Sequence, residues 1–482
     1  MRSHCPARVS FFTLFALLLA CARPLVAYSL LTHEQLIDLT WADSIVPLLL
    51  SRYPDLTPAD LERARAYAYG GCVIQDIGYY PFGDSSFSNL THYVRSGDFV
   101  VNLFRNAQNA NELAFAVGAL SHYIGDSIGH SEATNLAVPV EFPALARKYG
   151  STVSYAEGRH QHVRTEFAFD IDQVAHHRFA PLHYLRHVGL GVPVRQLALA
   201  YYQTYGITED FGRRGRRFNL PAYRFAVRTF IPRVAYALTL LHRNHELPET
   251  SSADLDTIQK EVAAVEARDD WDHWRRKAGI GTYALAGILF IVPKFGPLSI
   301  VAIKGPTSAT EADYLHSVVQ STAVLRQALA RFTPPSPNPA TPPDPASPSP
   351  VPQLAQSPTL PPTNGATAPI IFFDQTRDPR HPLPNRDLDT GRVVQLGGYP
   401  LTDLTYAALL HQLTRQPSQP IPPGIKADVL AYFANPPADI VSHEPPQLWA
   451  KVQADLIVLA AMPTSSEPEP YPTFGDNLKN SK

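Results

Sequence analysis

The stretch His122-Tyr123-Ile124-Gly125-Asp126-Ser127-Ile128-Gly129-His130 decides how this chain is read. Three residues separate each potential metal ligand from the next. On an α-helix that spacing stacks side chains on one face, about one turn apart. A second pair with the same spacing, His162 and Glu166, follows closely. Two such helices facing each other can hold divalent cations inside a bundle. The expected fold is therefore mainly α: a multi-helix bundle around a metal site.

The surrounding sequence supports a helical domain. Leu36, Leu39, Ile45, Leu48 and Leu49 form the apolar face of a first helix. Thr57 followed by Pro58 marks a helix start, with Thr57 as N-cap, and that helix runs toward Gly70 and Gly71. The stretch 111–121 leads into the ligand run without a breaker, 153–172 carries the second pair, and 221–247 forms another long helix. Alternating strand patterns are scarce.

Bulk properties set the outer limits. The 482 residues are 45% apolar, which allows a sizeable core, and the net charge of −2 gives no basic footprint for nucleic acid. Residues 1–27 read as a secretory signal: Arg2 and Arg8 precede a short apolar run from Phe11 to Ala20, with cleavage expected after Ala27. The alternative is lipidation at Cys21. Cleavage after Ala27 leaves Cys72 as the lone cysteine, so an exported protein must rely on its core, on bound metal, or on both. Localisation is accordingly expected to be periplasmic or extracellular.

The main helical domain is expected over 28–332. Within it, 278–303 forms two short apolar arms broken by Pro293-Lys294-Phe295-Gly296-Pro297. Neither arm reaches the ~20 residues of a membrane span. A buried helix and turn, a hairpin in peripheral contact with lipid, and a true span are the three readings, in that order of preference. Residues 333–369 form a proline-rich, solvated linker. Helices are expected over 402–413, 425–433 and 446–461, within a small C-terminal segment, 370–464, that is either an appended module or a return onto the first domain. A disordered tail is expected over 465–482.

Further ligand-type residues lie at His33, Asp76 and His92, and Tyr28 would carry the amino group freed by cleavage. Asp76 sits in an apolar stretch where an unpaired carboxylate is costly. This set resembles the bacterial zinc-dependent phospholipase C family, whose fold is shared with zinc-dependent single-strand nucleases. It is also similar to the catalytic domain of glycosylphosphatidylinositol-specific phospholipase D. The resemblance covers about 28–172, and more loosely the helices to about residue 245. It implies three zinc ions. Asp76, His92, His122 and Asp126 would hold the first. His130, His162 and Glu166 would hold the second. Tyr28, through its amine and carbonyl, would hold the third together with His33, with Asp126 as a bridge. Tyr28 stands five positions before His33, the spacing of the nuclease branch, which favours cleavage after Ala27.

Two positions depart from the family pattern. Three residues separate Asp126 from His130, where the phospholipase C and nuclease patterns have five; this is closer to the phospholipase D pattern. Tyr28 stands where the family usually has tryptophan.

The donor chemistry agrees with the resemblance. Histidine and carboxylate suit zinc, and a bridging carboxylate fits a pair of cations that clamps a phosphoryl group. Water acidified by zinc would attack phosphorus, with Asp76 orienting or deprotonating it. The implied activity is phospholipase C hydrolysis of a phospholipid phosphodiester by an exported monomer. A single-strand nuclease and a non-catalytic zinc-binding surface protein are the alternatives. Asp98, Glu132, His160 and Asp170 are neighbours that resemble ligands. Tyr79, Tyr80, Phe82 and Phe87 either line a substrate cleft or pack a loop.

Overall fold

The computed structural model describes residues 30–79, 83–211, 224, 227–228, 231–242, 252–275, 280–291, 305–332, 381–437 and 446–466. Among these the fold is helical, with no strand and two isolated β-bridges, Arg386 with Val393 and Ile421 with Thr464. The signal region, Tyr28, the linker 333–369, Tyr80, Phe82 and the tail beyond 466 lie outside the described residues. So do 292–304, the second part of the apolar 278–303 stretch. Its first part is helix Ile280–Ile291. No helix among the described residues is long and apolar enough to cross a membrane.

The helices that build the site are α1 (Leu30–Thr40), α2 (Pro58–Gly71), α3 (Ser85–Tyr93), α4 (Ser96–Arg105), α5 (Ala110–Gly129) and α6 (Tyr155–Ala175). Helix α5 is the axis. Of its twenty residues only Asn111 and Glu112 escape full burial, because α1, α2, α4 and a long later helix, Ser308–Phe332, pack around it. A helix apolar on every side must be enclosed in this way. Asn109 starts it by accepting a hydrogen bond from Glu112 N (3.1 Å), and Glu112 Oε2 accepts one from Gln108 N (2.7 Å).

The expected N-cap at Thr57 is present: its hydroxyl accepts from Asp60 N (3.2 Å), and Asp60 Oδ2 accepts from Thr57 N (3.1 Å). At its far end α2 crosses α5 at very short range, and two glycines make this possible. A Cβ on Gly71 would lie 2.0 Å from Phe115 O, and one on Gly118 would lie 2.2 Å from Ala68 O. Gly118→Ala is therefore expected to push α2 off α5 and destabilise the domain by about 1–3 kcal/mol or more. A thermal melt checks this, and an unchanged Tm would show that the crossing tolerates a methyl group.

Helix α1 begins on a carboxylate. Asp170, on α6, accepts from Leu31 N (3.1 Å) and from Thr32 Oγ1 (2.9 Å), satisfying donors at the α1 N-terminus. Asp170 is thus a structural capping residue rather than a ligand. Farther along α1, buried Asp38 is ion-paired to Arg65 of α2 and accepts from Tyr69 Oη (2.5 Å). Arg65 reaches on to Asp269 (2.8 Å), and its guanidinium lies over the rings of Trp41, Tyr69 and Tyr184. Burial raises the Asp38 carboxyl from its ordinary range, with Arg65 and Tyr69 opposing.

The C-terminal helices Pro400–Thr414, Pro423–Tyr432 and Pro446–Ala461 match their expected positions. Residues 381–399 ahead of them return onto the ligand-bearing helices. Leu388 N donates to His92 O (3.1 Å), Tyr123 Oη to Pro384 O (2.7 Å), and Ser96 Oγ to Arg386 O (2.6 Å).

Candidate metal centre

The ligand-type side chains arrive on several different elements. His33 stands in the first turn of α1. Asp76 stands on a 3₁₀ turn, Gln75–Gly78, directly after α2. His92 is near the end of α3, which begins at the Asp84 cap (Ser86 N to Asp84 Oδ1, 3.0 Å). His122 and Asp126 lie one turn apart on α5. His130 opens a π-helical turn, His130–Thr134, that continues α5 into a short helix, Asn135–Glu141. The sequence spacing suggested an uninterrupted α-helix here. The wider turn sits where a ligand is presented, a common place for such bulges. His162 and Glu166 lie on α6, beyond a kink at Gly158 (φ −148°, ψ 55°).

These side chains converge into two adjoining groups: Asp76, His92, His122 and Asp126, then His130, His162 and Glu166, with all seven buried. Asp126 stands between several rings. Its Oδ2 lies 3.0 Å from His122 Nε2 and 3.2 Å from His92 Nε2. Its Oδ1 lies 3.1 Å from His33 Nε2 and 3.7 Å from His130 Nε2. Asp76 Oδ1 lies 3.2 Å from His92 Nε2 and 3.8 Å from His122 Nε2. Apart from these imidazoles, no hydrogen-bond partner faces the oxygens of Asp76 or Asp126.

The protonation pattern follows from the main chain. His92 Nδ1 lies 2.8 Å from Ser88 O, and His122 Nδ1 lies 2.9 Å from Cys72 O. A carbonyl can only accept, so each Nδ1 carries a proton and each neutral ring turns a lone pair inward at Nε2. Those two Nε2 atoms are 3.4 Å apart, among carboxylate oxygens. Lone pairs converging on buried anions require a cation. Without a metal, a proton serves instead: burial opposes charging His92, but Asp126 and Asp76 push it up to about 10. The same carboxylates raise His122 against its burial. Asp126, although buried, is held well below the carboxylate range by His122 and His33. His33 stacks on His122 (4.2 Å between centroids), and burial and that neighbour together lower it.

The second group behaves differently. Burial, then His130, push His162 well below its ordinary value. Burial, then Asp126 and Asp76, push Glu166 well above its own. His162 Nδ1 and Glu166 Oε1 lie 2.7 Å apart, within hydrogen-bond reach. A divalent cation displaces protons from such groups, since ligands bind as neutral imidazole and carboxylate. An all-nitrogen-and-oxygen donor set of this kind fits zinc. Cys72 is buried as a free thiol and supplies only its carbonyl.

The neighbours sort themselves by contact. Asp98 gathers with His381 and Asp428. Arg95, 2.8 Å from Asp98 and 2.6 Å from Asp428, already balances that group together with His381, which, against its burial, the two carboxylates raise to about 10. Asp172, His176 and Glu311 form a similar group that holds Arg178, 3.0 Å from Glu311. Neither Glu132 nor His160 belongs to a ligand group among the described residues. Tyr79 stands beside the centre, its ring 5.4 Å from His92. Phe87 packs in an aromatic core, stacked on Tyr201 at 5.2 Å. Sequence reasoning passed over Asn135 and Asp389, which close one wall. Asn135 was signalled only by its position five residues after His130, and Asp389 by nothing local.

Fold and site together define a helical domain whose buried histidines and carboxylates form two groups that could hold metal. Residues 32–209 match the family described as zinc dependent phospholipase C. The match spans every proposed ligand except Tyr28 and none of the C-terminal segment. No curated protein and no solved structure matches the chain.

Proposed function

We propose that this protein is an exported zinc-dependent phosphodiesterase that cleaves phospholipids in the manner of a phospholipase C. One observation carries the reading: Asp126 turns Oδ2 toward His92 and His122 and Oδ1 toward His33. That is the disposition of a carboxylate shared between neighbouring cations. Zinc, when bound, supplies acidified water and draws charge from the phosphoryl oxygens.

The protein residues set the stage for that chemistry. His92 and His122, with Nδ1 held on main-chain carbonyls, keep both Nε2 lone pairs directed inward. Asp76 faces His92 through Oδ1, and its second oxygen has no protein hydrogen bond. That oxygen is the group to orient attacking water and take its proton. Tyr28 is the proposed source of the third site's amine and carbonyl, beside His33.

The test offers phosphatidylcholine, phosphatidylinositol and single-stranded DNA to the purified full chain, before and after chelation and after zinc is restored. Diacylglycerol with a phosphorylated head group, lost on chelation and regained with zinc, is the expected result. Phosphatidic acid would reassign the bond cleaved, and DNA cleavage alone would reassign the substrate. No zinc-dependent hydrolysis of any of the three would sink the enzymatic reading. Mass spectrometry of the secreted protein is expected to find Tyr28 at its N-terminus, and a lipidated Cys21 would remove that residue from the site.

A further inference from the structure

We infer that Asn135 is a positioning residue for the His130, His162 and Glu166 metal site, and that the C-terminal segment around Asp389 holds it in place. The inference rests on reading this cluster as a metal site, not on which substrate is cleaved.

The geometry leaves one arrangement of hydrogens. Asn135 Nδ2 lies 2.7 Å from Asp389 O, and Asn135 Oδ1 lies 2.8 Å from His162 Nε2. A main-chain carbonyl cannot donate, so the amide nitrogen must face Asp389. The amide oxygen is then turned on His162, which must answer with Nε2–H. The lone pair of the neutral ring is thereby placed on Nδ1, the atom 2.7 Å from Glu166 Oε1. His162 would present Nδ1 to a cation, opposite to His92 and His122, which would present Nε2. Its ring has little freedom to turn: it stacks on His130 (5.0 Å, 8° between planes) and meets Tyr155 edge-on at 5.7 Å.

The Asp389 carbonyl is itself held from several sides. Asp389 is fully buried, and its Oδ2 accepts from Tyr93 Oη (2.9 Å) and Tyr399 Oη (2.6 Å). Asp387 Oδ1 accepts from Asp389 N (3.0 Å) and Thr390 N (3.2 Å), tying the turn from within. A piece of chain outside the matched family region thus orients a ligand inside it. Groups that fix a metal-bound imidazole through its other nitrogen typically change metal affinity about 10–100-fold when removed.

The experiment measures zinc, not turnover. Full-length wild type, Asn135→Ala, Asn135→Asp and Asp389→Ala are loaded with zinc and titrated with a competing chelator, with thermal melts alongside. Asn135→Ala is expected to weaken one zinc equivalent about 10–100-fold and leave the others as in wild type. Asn135→Asp keeps an oxygen facing Nε2–H and is expected to recover part of that loss. Asp389→Ala is expected to weaken the same equivalent, and it decides the matter if Asn135→Ala does not fold. Unchanged affinity in both alanine variants, or equal weakening of every equivalent, would overturn the proposal. Weakening in Asn135→Ala alone would overturn the part given to the C-terminal segment. A wild type that binds no zinc would instead refute the metal reading beneath it.

Discussion

Asp126→Ala is expected to cost the protein more than one zinc equivalent, whereas His130→Ala should cost no more than one. The difference lies in what each side chain touches. Asp126 offers Oδ2 to His92 and His122 and Oδ1 to His33, so its removal takes a ligand from two donor sets together. It also strips negative charge from a pocket of four imidazoles that needs it. Asp126→Asn, similar in volume, should lose metal too, because one end of an amide is a donor and cannot bind a cation. Hydrolysis should fall at least 10²–10³-fold, roughly the scale for losing one group that stabilises developing charge. Metal analysis after dialysis is the decisive reading. If Asp126→Ala retains all its zinc, or loses a single equivalent, the carboxylate does not bridge.

Arg65→Met is expected to produce the largest loss of stability, about 3–5 kcal/mol, as when one partner of a buried ion pair is removed. Methionine keeps much of the apolar stem but removes the guanidinium that lies over Trp41 and Tyr184, and leaves Asp38 in the core without its cation. The expected fall in Tm is on the order of 10 °C for a chain of this size. Adding Asp38→Asn to Arg65→Met should restore much of that loss, since the stranded charge is then gone. A double variant no more stable than the single one would show that packing, not charge, sets the cost. Neither variant touches a metal ligand, so zinc content should hold in the folded fraction.

Much of the site was legible because metal ligands on a helix obey a fixed period. His122 and Asp126 on α5 with His130 just beyond it, and His162 and Glu166 on α6, could be paired by spacing alone. His33, Asp76 and His92 have no such period and gained meaning from their order along the chain. The helix starts at Thr57 and Asn109 follow from local capping chemistry, the first of them read directly from the sequence. What stayed hidden was whatever depends on distant pairing. Nothing near His130 announces that the helix widens there into a π turn. Nothing near Asp170 distinguishes a capping carboxylate from a ligand, until Leu31 and Thr32 are seen to donate to it. The two groups that hold Arg95 and Arg178 look like metal sites by composition and are ion networks by contact.

The contact between Asn135 and Asp389 joins residues 254 positions apart. During synthesis every ligand-bearing helix leaves the ribosome long before Asp389 does. Closing so large a loop adds only a slowly growing entropic cost, so the contact is affordable once formed, but it forms late. A later-made part of the chain therefore completes the wall around His162, and a protein interrupted before residue 389 would carry the ligands of this domain without the brace that orders one of them.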